Sequence, residues 1–323
     1  MICIKSPFRV SFFGGGSDFP EWFNSNGGSV LTSTINHGIY LFIKKNTEYK
    51  YTFRYSNLEQ TNSLNSIKHP AFRNFIKYYK FNNIDLTFIS DLPSFSGLGS
   101  SSALSVSLIH YYLYNLNKKK ILKKLIAKKS IHFEREILKE KVGFQDQVAI
   151  TFGGVNKITF NNNSFNCKKI KIPQKTINKL NSNFFLLDSG IKRFSNIVQK
   201  DLVKSFEKSK KYNFFLKDMT QYVDFGKRKL LSGSIDDFGK LFDEYWDLKK
   251  KSNPSSVSNN INYIYDLAKD HGAYGGKLLG AGSGGFFLFY VPNKNKKNFL
   301  ELSKKFKIHK YELNNKGSEI IEI

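Results

Sequence analysis

The stretch PSFSGLGSSSALSVSLIHYYLYNL, Pro93–Leu116, decides how this chain is read. A Gly/Ser turn made of Gly97, Leu98, Gly99, Ser100, Ser101 and Ser102 runs straight into an almost wholly apolar helical segment, Ala103–Leu113. Small residues let a backbone approach a ligand closely. The first N–H groups of a helix have no partner inside it, and the helix dipole adds positive potential at that end. Such a turn is a seat for an anion, most naturally phosphate. Three consecutive hydroxyls can also reach a phosphate oxygen or a Mg²⁺ ion. The same string reads equally well as a Ser-rich N-cap on a buried helix, so the rest of the chain has to separate the two.

Two further glycine clusters bear on that choice. Gly14, Gly15 and Gly16 follow a short strand and lead into Ser17 and Asp18, a pattern suited to a ligand that touches backbone and has a hydroxyl bound by a carboxylate. A tight turn would look the same. The third cluster, GGKLLGAGSGGFF at Gly275–Phe287, contains G-x-G-x-x-G at Gly280, Gly282 and Gly285. A dinucleotide fingerprint must open a helix after a strand, whereas this run leads into the apolar strand Phe286–Val291. It is expected to be a loop close to bound ligand. The phosphate-loop pattern G-x-x-x-x-G-K-[ST] is absent.

Between the second and third clusters lies HFEREILKEKVGFQDQ. Asp146 falls just past a helix and Glu134 twelve residues earlier, on it. Phosphoryl transfer needs phosphate charge neutralised and the attacking hydroxyl oriented or deprotonated, and two separated carboxylates can divide those tasks. His132 and Glu136, one helical turn apart, read better as a solvated face than as a metal pair. His132-x-Glu134 echoes a zinc deaminase pattern, but its P-C-x-x-C is missing.

The 323 residues, 40% hydrophobic and 15% aromatic, suit a globular α+β chain of two packed domains, divided somewhere near 161–183. Short strands are expected at Ile2–Lys5 and Arg9–Phe13 either side of Pro7, a long β region at Gly28–Lys45, and a helix through Lys119–Lys141. The second half reads as a strand at Phe184–Asp188, helices near Asn196–Lys211, Phe215–Ser232, Ile235–Lys251, Asn260–His271 and Lys297–Phe306, and a closing strand at Lys307–Leu313. Nothing approaches the ~18–20 uninterrupted apolar residues of a membrane span. The N-terminus lacks a secretion core, and two cysteines are too few for a disulfide framework, so a cytoplasmic setting is expected. The net charge of +25 invites a nucleic-acid reading. Its lysines are dispersed, though, and no zinc-finger, RNA-binding or zipper pattern accompanies them.

Taken in order, PFRVSFFGGGSD at 7–18, PSFSGLGSSSA at 93–103 and KLLGAGSGG at 277–285 resemble the GHMP kinase superfamily over nearly the whole chain. The resemblance implies an N-terminal domain like domain 2 of ribosomal protein S5 (residues 1–170) that binds ATP. It also implies a C-terminal α+β, ferredoxin-like domain (residues 171–323), with the site in the cleft between. Carried over by motif, Gly97–Ser102 would wrap the ATP phosphates and Ser101 and Glu134 would hold Mg²⁺. Asp146 would be the catalytic aspartate, with Arg9 beside it and the transferred phosphoryl group. Gly15, Gly16, Ser17, Asp18, Gly282 and Ser283 would line the acceptor side.

Galactokinases carry G-E-H-T-D where this chain has Gly14–Gly–Gly–Ser–Asp18, which argues against galactose. The glycine form, with RYSNLE at 54–59, KHP at 68–70 and VGFQDQ at 142–147, looks most like bacterial D-glycero-D-manno-heptose 7-phosphate kinases. Those enzymes phosphorylate the anomeric hydroxyl of a sugar phosphate for surface polysaccharide synthesis. A kinase for a fucose- or hexosamine-type sugar is the alternative within the superfamily. The expected partners are ATP and an anionic sugar phosphate, with neither nucleic acid nor membrane, and a homodimer is left open. A sugar phosphate needs cations at its own phosphate, for which Lys192 and Arg193 are the choice, following the Phe184–Ser189 strand across Gly190.

Overall fold

The computed structural model describes residues 1–93, 96–117, 121–191, 202–206, 209–252, 257–280, 282 and 284–322. The first sheet holds β1 (Ile2–Phe13), β2 (Gly28–Lys45), β3 (Tyr51–Arg54), β4 (Leu58–Thr61), β5 (Ile84–Ser90), β6 (Asn156–Asn161) and β7 (Ser164–Lys169). The second holds β8 (Phe184–Asp188), β9 (Gly275–Leu278), β10 (Phe286–Tyr290) and β11 (Ile308–Lys310). The last strand, β12 (Glu319–Glu322), crosses back and pairs with β1. The first sheet runs β12-β1-β2-β5-β3-β4, with β6 and β7 continuing from the far end of β2. The second runs β11-β8-β10-β9, all antiparallel, which is the strand order of a ferredoxin-like unit. The architecture is α+β with two sheets.

Helix Ser100–Asn117 is small and apolar on every side of its first turns because Ser102–His110 is buried, while Ser101 at its start and Asn115 and Leu116 near its end are exposed. It packs on β1 and β2 and on helices Lys123–His132 and Gln145–Phe152. One aromatic core joins the two halves. Phe12 and Phe13 at the end of β1 meet Phe238 and Phe242 of helix Ile235–Ser252, with Phe12–Phe238 centroids 5.3 Å apart and Phe13–Phe242 centroids 4.7 Å apart. Phe184 of β8 packs on the same pair. This shared core fixes the end of β1, and so the first glycine cluster, against the second sheet's layer.

Several expectations change. The two strands around Pro7 are one: Pro7 sits opposite Gly38, and register shifts between Pro7 and Arg9 and between Ser11 and Phe13 absorb the irregularity. The helix expected through Lys141 ends at His132 and passes into a π turn, Phe133–Ile137, in which Leu138 N–H donates to the Phe133 carbonyl. Apolar spacing continues through that turn, so periodicity does not register the extra residue. The third glycine cluster begins as strand β9 rather than as a loop. The helix expected at Lys297–Phe306 is Lys296–Leu300 followed by a 3₁₀ turn. Strand β12 lies beyond the expected last strand, and helices Pro20–Asn26 and Gln174–Asn183 add to the expected elements. The helix expected near Asn196–Lys211 falls largely outside the described residues.

Candidate active site

Arg9 and Asp146 form the centre. Arg9 Nε donates to Asp146 Oδ1 at 2.6 Å and its NH2 to Oδ2 at 2.7 Å, a two-point fork, while NH1 donates to the Gly97 carbonyl at 2.6 Å. Arg9 comes from β1 and Asp146 from the first turn of helix Gln145–Phe152. The guanidinium is buried and the aspartate side chain 22% exposed, so the carboxylate is both held and reachable. The Gly97–Gly99 turn lies against the pair: a Cβ on Gly99 would stand 3.2 Å from Asp146 Oδ2. Two expected catalytic residues and the expected phosphate turn therefore share one place.

Glu134 is inside the π turn and fully buried. Its Oε2 accepts from Gln147 Nε2 at 2.6 Å and from Ser102 Oγ at 3.1 Å, whereas Oε1 has no hydrogen-bond partner among the described residues. Burial, then the charges of Glu140 and Asp146, raise its carboxyl to about 8. Ser102 is thus the hydroxyl that meets Glu134, and Ser101 stands exposed at the helix start one residue earlier. Among the described residues no three His, Cys, Asp or Glu side chains gather to cage a metal. One buried carboxylate with an unused oxygen, beside serine hydroxyls, fits Mg²⁺, which takes few protein oxygens and keeps phosphate and water ligands.

Asp18 is buried beyond the first glycine cluster. Oδ1 accepts from Gly16 N–H at 3.0 Å and Oδ2 from Gln145 N–H at 3.2 Å. Burial, then the nearby Asp146 charge, pushes it up to about 6. Gly143 gives it room, since a Cβ there would lie 2.0 Å from Asp18 Oδ2. Gly15 and Gly16 are half-buried, and Gly16 sits beneath Tyr212. Ser17 departs from the acceptor-side expectation: it is buried and its hydroxyl donates to the Gly14 and Ser29 carbonyls, so it holds the turn together. Leu98 is likewise a core side chain; its carbonyl accepts from Arg9 N–H and its N–H donates to Ser96 Oγ.

The third cluster closes on the second. A Cβ at Gly97 would fall 2.6 Å from the Leu279 carbonyl oxygen, and one at Gly280 2.8 Å from Gly97 Cα. Phe286 N–H donates to the Ser96 carbonyl, and Gly285 N–H to that of Ile191. Gly282 is half-buried on this loop. Ser283, Lys192 and Arg193 lie outside the described residues. The sequence motifs do not single out Ser102 and Gln147 as partners of Glu134, although Gln147 closes the VGFQDQ stretch. Nor do they single out Lys277, the first residue of the third motif.

The description of the GHMP kinases' N-terminal domain matches residues 65–154, and that of their C-terminal domain matches residues 227–306. A D-glycero-alpha-D-manno-heptose 7-phosphate kinase from Campylobacter jejuni is 30% identical, covering 94% of this chain and 93% of that protein. This chain belongs to the GHMP kinases. It is therefore an ATP-dependent kinase, and relatives of this GHMP kinase carry sugar-kinase names. A galactokinase from Pyrococcus furiosus is 24% identical over 92% of this chain and 90% of its own. The crystal structure of a D-glycero-D-manno-heptose 1-phosphate kinase from Bacteriodes thetaiotaomicron superposes with a TM-score of 0.81 at 21% identity, covering 100% and 99% of the two chains. That likeness shows a shared fold. No described helix is long and apolar enough to cross a membrane.

Proposed function

We propose that this GHMP kinase transfers the γ-phosphoryl group of ATP to the anomeric hydroxyl of D-glycero-D-manno-heptose 7-phosphate, giving the 1,7-bisphosphate for nucleotide-activated heptose and surface polysaccharide. The observation that carries the reading is the Arg9–Asp146 fork set against the Gly97–Gly99 turn. Asp146 is the group that orients and deprotonates the acceptor hydroxyl, and the Arg9 fork keeps it aimed. The hydroxyl oxygen attacks the γ-phosphorus, the bond to the bridging oxygen breaks and ADP leaves. The Gly97–Ser102 backbone N–H groups hold the nucleotide phosphates. Asp18, Gly15, Gly16 and Gly282 form the acceptor side; residues 1–170 act as one domain, to whose sheet β12 returns, and the rest of 171–323 as the other.

Glu134 through its free Oε1, with the Ser101 hydroxyl, would hold Mg²⁺, which supplies charge neutralisation at the phosphates. Ser102 and Gln147 position that carboxylate. Glu134→Gln and Ser101→Ala are expected to raise the Mg²⁺ concentration giving half-maximal rate, each several-fold; unmoved titrations in both would remove the assignment. The acceptor is chosen on the glycine form of the Gly14–Asp18 turn and the heptose 7-phosphate kinase relative. ATP consumption should be screened against heptose 7-phosphate, mannose 6-phosphate, galactose and fucose. The expected result is the highest kcat/KM with heptose 7-phosphate and a product phosphorylated at C1. Faster turnover of galactose or fucose would replace this acceptor.

A further inference from the structure

Two lysines in the cleft have no task in the transfer described above. Lys277, in β9, is 4% exposed, and its ammonium donates to the Ser11 carbonyl at 3.0 Å and the Phe12 carbonyl at 3.1 Å. It also lies 4.8 Å from the Tyr245 ring centroid. Lys277 is thereby consumed in tying β9 to the end of β1. Lys249, half-buried in the last turn of helix Ile235–Ser252, donates to the Leu278 carbonyl at 3.2 Å and lies 5.8 Å from the Trp246 ring centroid.

No described carboxylate pairs with either lysine, because the acids nearby are committed elsewhere. Asp146 is held by Arg9, Asp18 by two backbone N–H groups, Asp243 by Lys269 and Tyr265, and Asp247 by Lys250. Arg9 is close enough to depress both ammonium groups. Burial and then Arg9 bring Lys249 down to about 8, and burial, Lys249 and Arg9 push Lys277 well below its ordinary value. Cations drawn together out of water with one paired carboxylate between them repel each other, and an arriving dianion reverses that. Lys277 is already satisfied by carbonyls, so Lys249 is the ammonium able to turn to a ligand. A compact, flexible ammonium is a natural phosphate partner.

Two phosphates enter this cleft, the nucleotide's and the acceptor's. The nucleotide seat is at the start of helix Ser100–Asn117, on the first sheet. Lys249 and Lys277 belong to the second sheet's layer, and Lys277 is bonded to the Ser11 and Phe12 carbonyls at the end of β1, directly before the Gly14–Asp18 turn. We propose that Lys249 binds the phosphate already present on the acceptor sugar, a specificity-determining contact. This rests on the reading of the site as a sugar-phosphate kinase.

Lys249→Met should be assayed with heptose 7-phosphate and ATP varied separately. The expected result is a rise of about 10-fold or more in KM for the sugar phosphate, as for loss of a charge-assisted hydrogen bond, with KM for ATP within about twofold. Lys249→Arg should recover most of the loss. In the wild-type protein, mild amine acetylation read by mass spectrometry at Lys249 should be slowed by heptose 7-phosphate and not by a non-hydrolysable ATP analogue. This arm keeps the test intact if the methionine variant fails to fold. A KM change confined to ATP, equal changes for both substrates, no change, or labelling indifferent to the sugar phosphate would each overturn the proposal. Normal heptose 7-phosphate turnover with an unmoved KM in Lys249→Met removes Lys249 alone. Turnover of free sugars and of no sugar phosphate removes the acceptor reading with it.

Discussion

At the scale of single residues, the site is a set of carboxylates given different tasks by their surroundings. Asp146 is forked by a guanidinium and partly open, so its carboxylate is held in one orientation and is reachable by an acceptor hydroxyl. Asp146→Asn is expected to lower kcat by ~10²–10⁴-fold while ATP affinity stays near wild type. A variant with near-normal turnover would take Asp146 out of the chemistry. Asp18 is buried with no cation paired to it among the described residues, and its carboxyl rises from 3.8 to about 6. Below about pH 4 it is protonated in folded and unfolded chains alike, and between there and about pH 6 only the unfolded chain ionises it. Its contribution to folded stability therefore declines as pH rises through that window, by on the order of 3 kcal/mol. Denaturation midpoints of ligand-free wild type, measured against Asp18→Asn, should fall progressively across this range. A difference that stays flat, or grows in the wild type's favour, contradicts the burial assigned to Asp18.

At the scale of elements, what matters is how turns meet. The Gly97 turn and the Leu279–Gly280 turn come from different sheets and touch backbone to backbone. Gly97 has φ +74°, and a side chain there would meet the Leu279 carbonyl oxygen at 2.6 Å. Gly97→Ala therefore combines a left-handed residue, costing ~1–3 kcal/mol, with a backbone clash that separates the two loops. A lower unfolding midpoint and a KM for ATP raised by about 10-fold are expected. An alanine variant with normal ATP kinetics would show that the contact between the loops is dispensable. The π turn at Phe133–Ile137 is a second such device: its extra residue brings Glu134 inward to Ser102 and Gln147.

At the scale of the whole molecule, the two halves are joined by an aromatic core and by the returning β12. Ser318, just before β12, meets Ser6 Oγ at 2.9 Å and His110 Nδ1 at 2.9 Å, and Ser107 donates to Ser6. Ending the chain at Lys316 removes a strand from β1 and leaves buried polar groups without partners, each costing ~1–3 kcal/mol. The unfolding midpoint should drop by roughly 5–15 °C, with β1 and therefore Arg9 less firmly held. A midpoint unchanged by calorimetry would mean that β12 is an appendage.

The sequence by itself determined the three glycine clusters and their order, the buried helix after the second, and the carboxylates Glu134 and Asp146. These follow from local rules: apolar periodicity, the steric freedom of glycine and the chemistry of phosphate. It also pointed to Arg9 beside Asp146 through the family motif. The tertiary structure decided that β1 is continuous across Pro7, because pairing with β2 through shifted register is a non-local contact. It decided the same way that β9 and β12 are strands, that Ser17 serves its own turn and that Ser102 faces Glu134. Lys249 and Lys277 became visible only here. Their positions 240 and more residues from Arg9 carry no local signal, and the folding of the second sheet's layer onto β1 brings the three cations to one cleft.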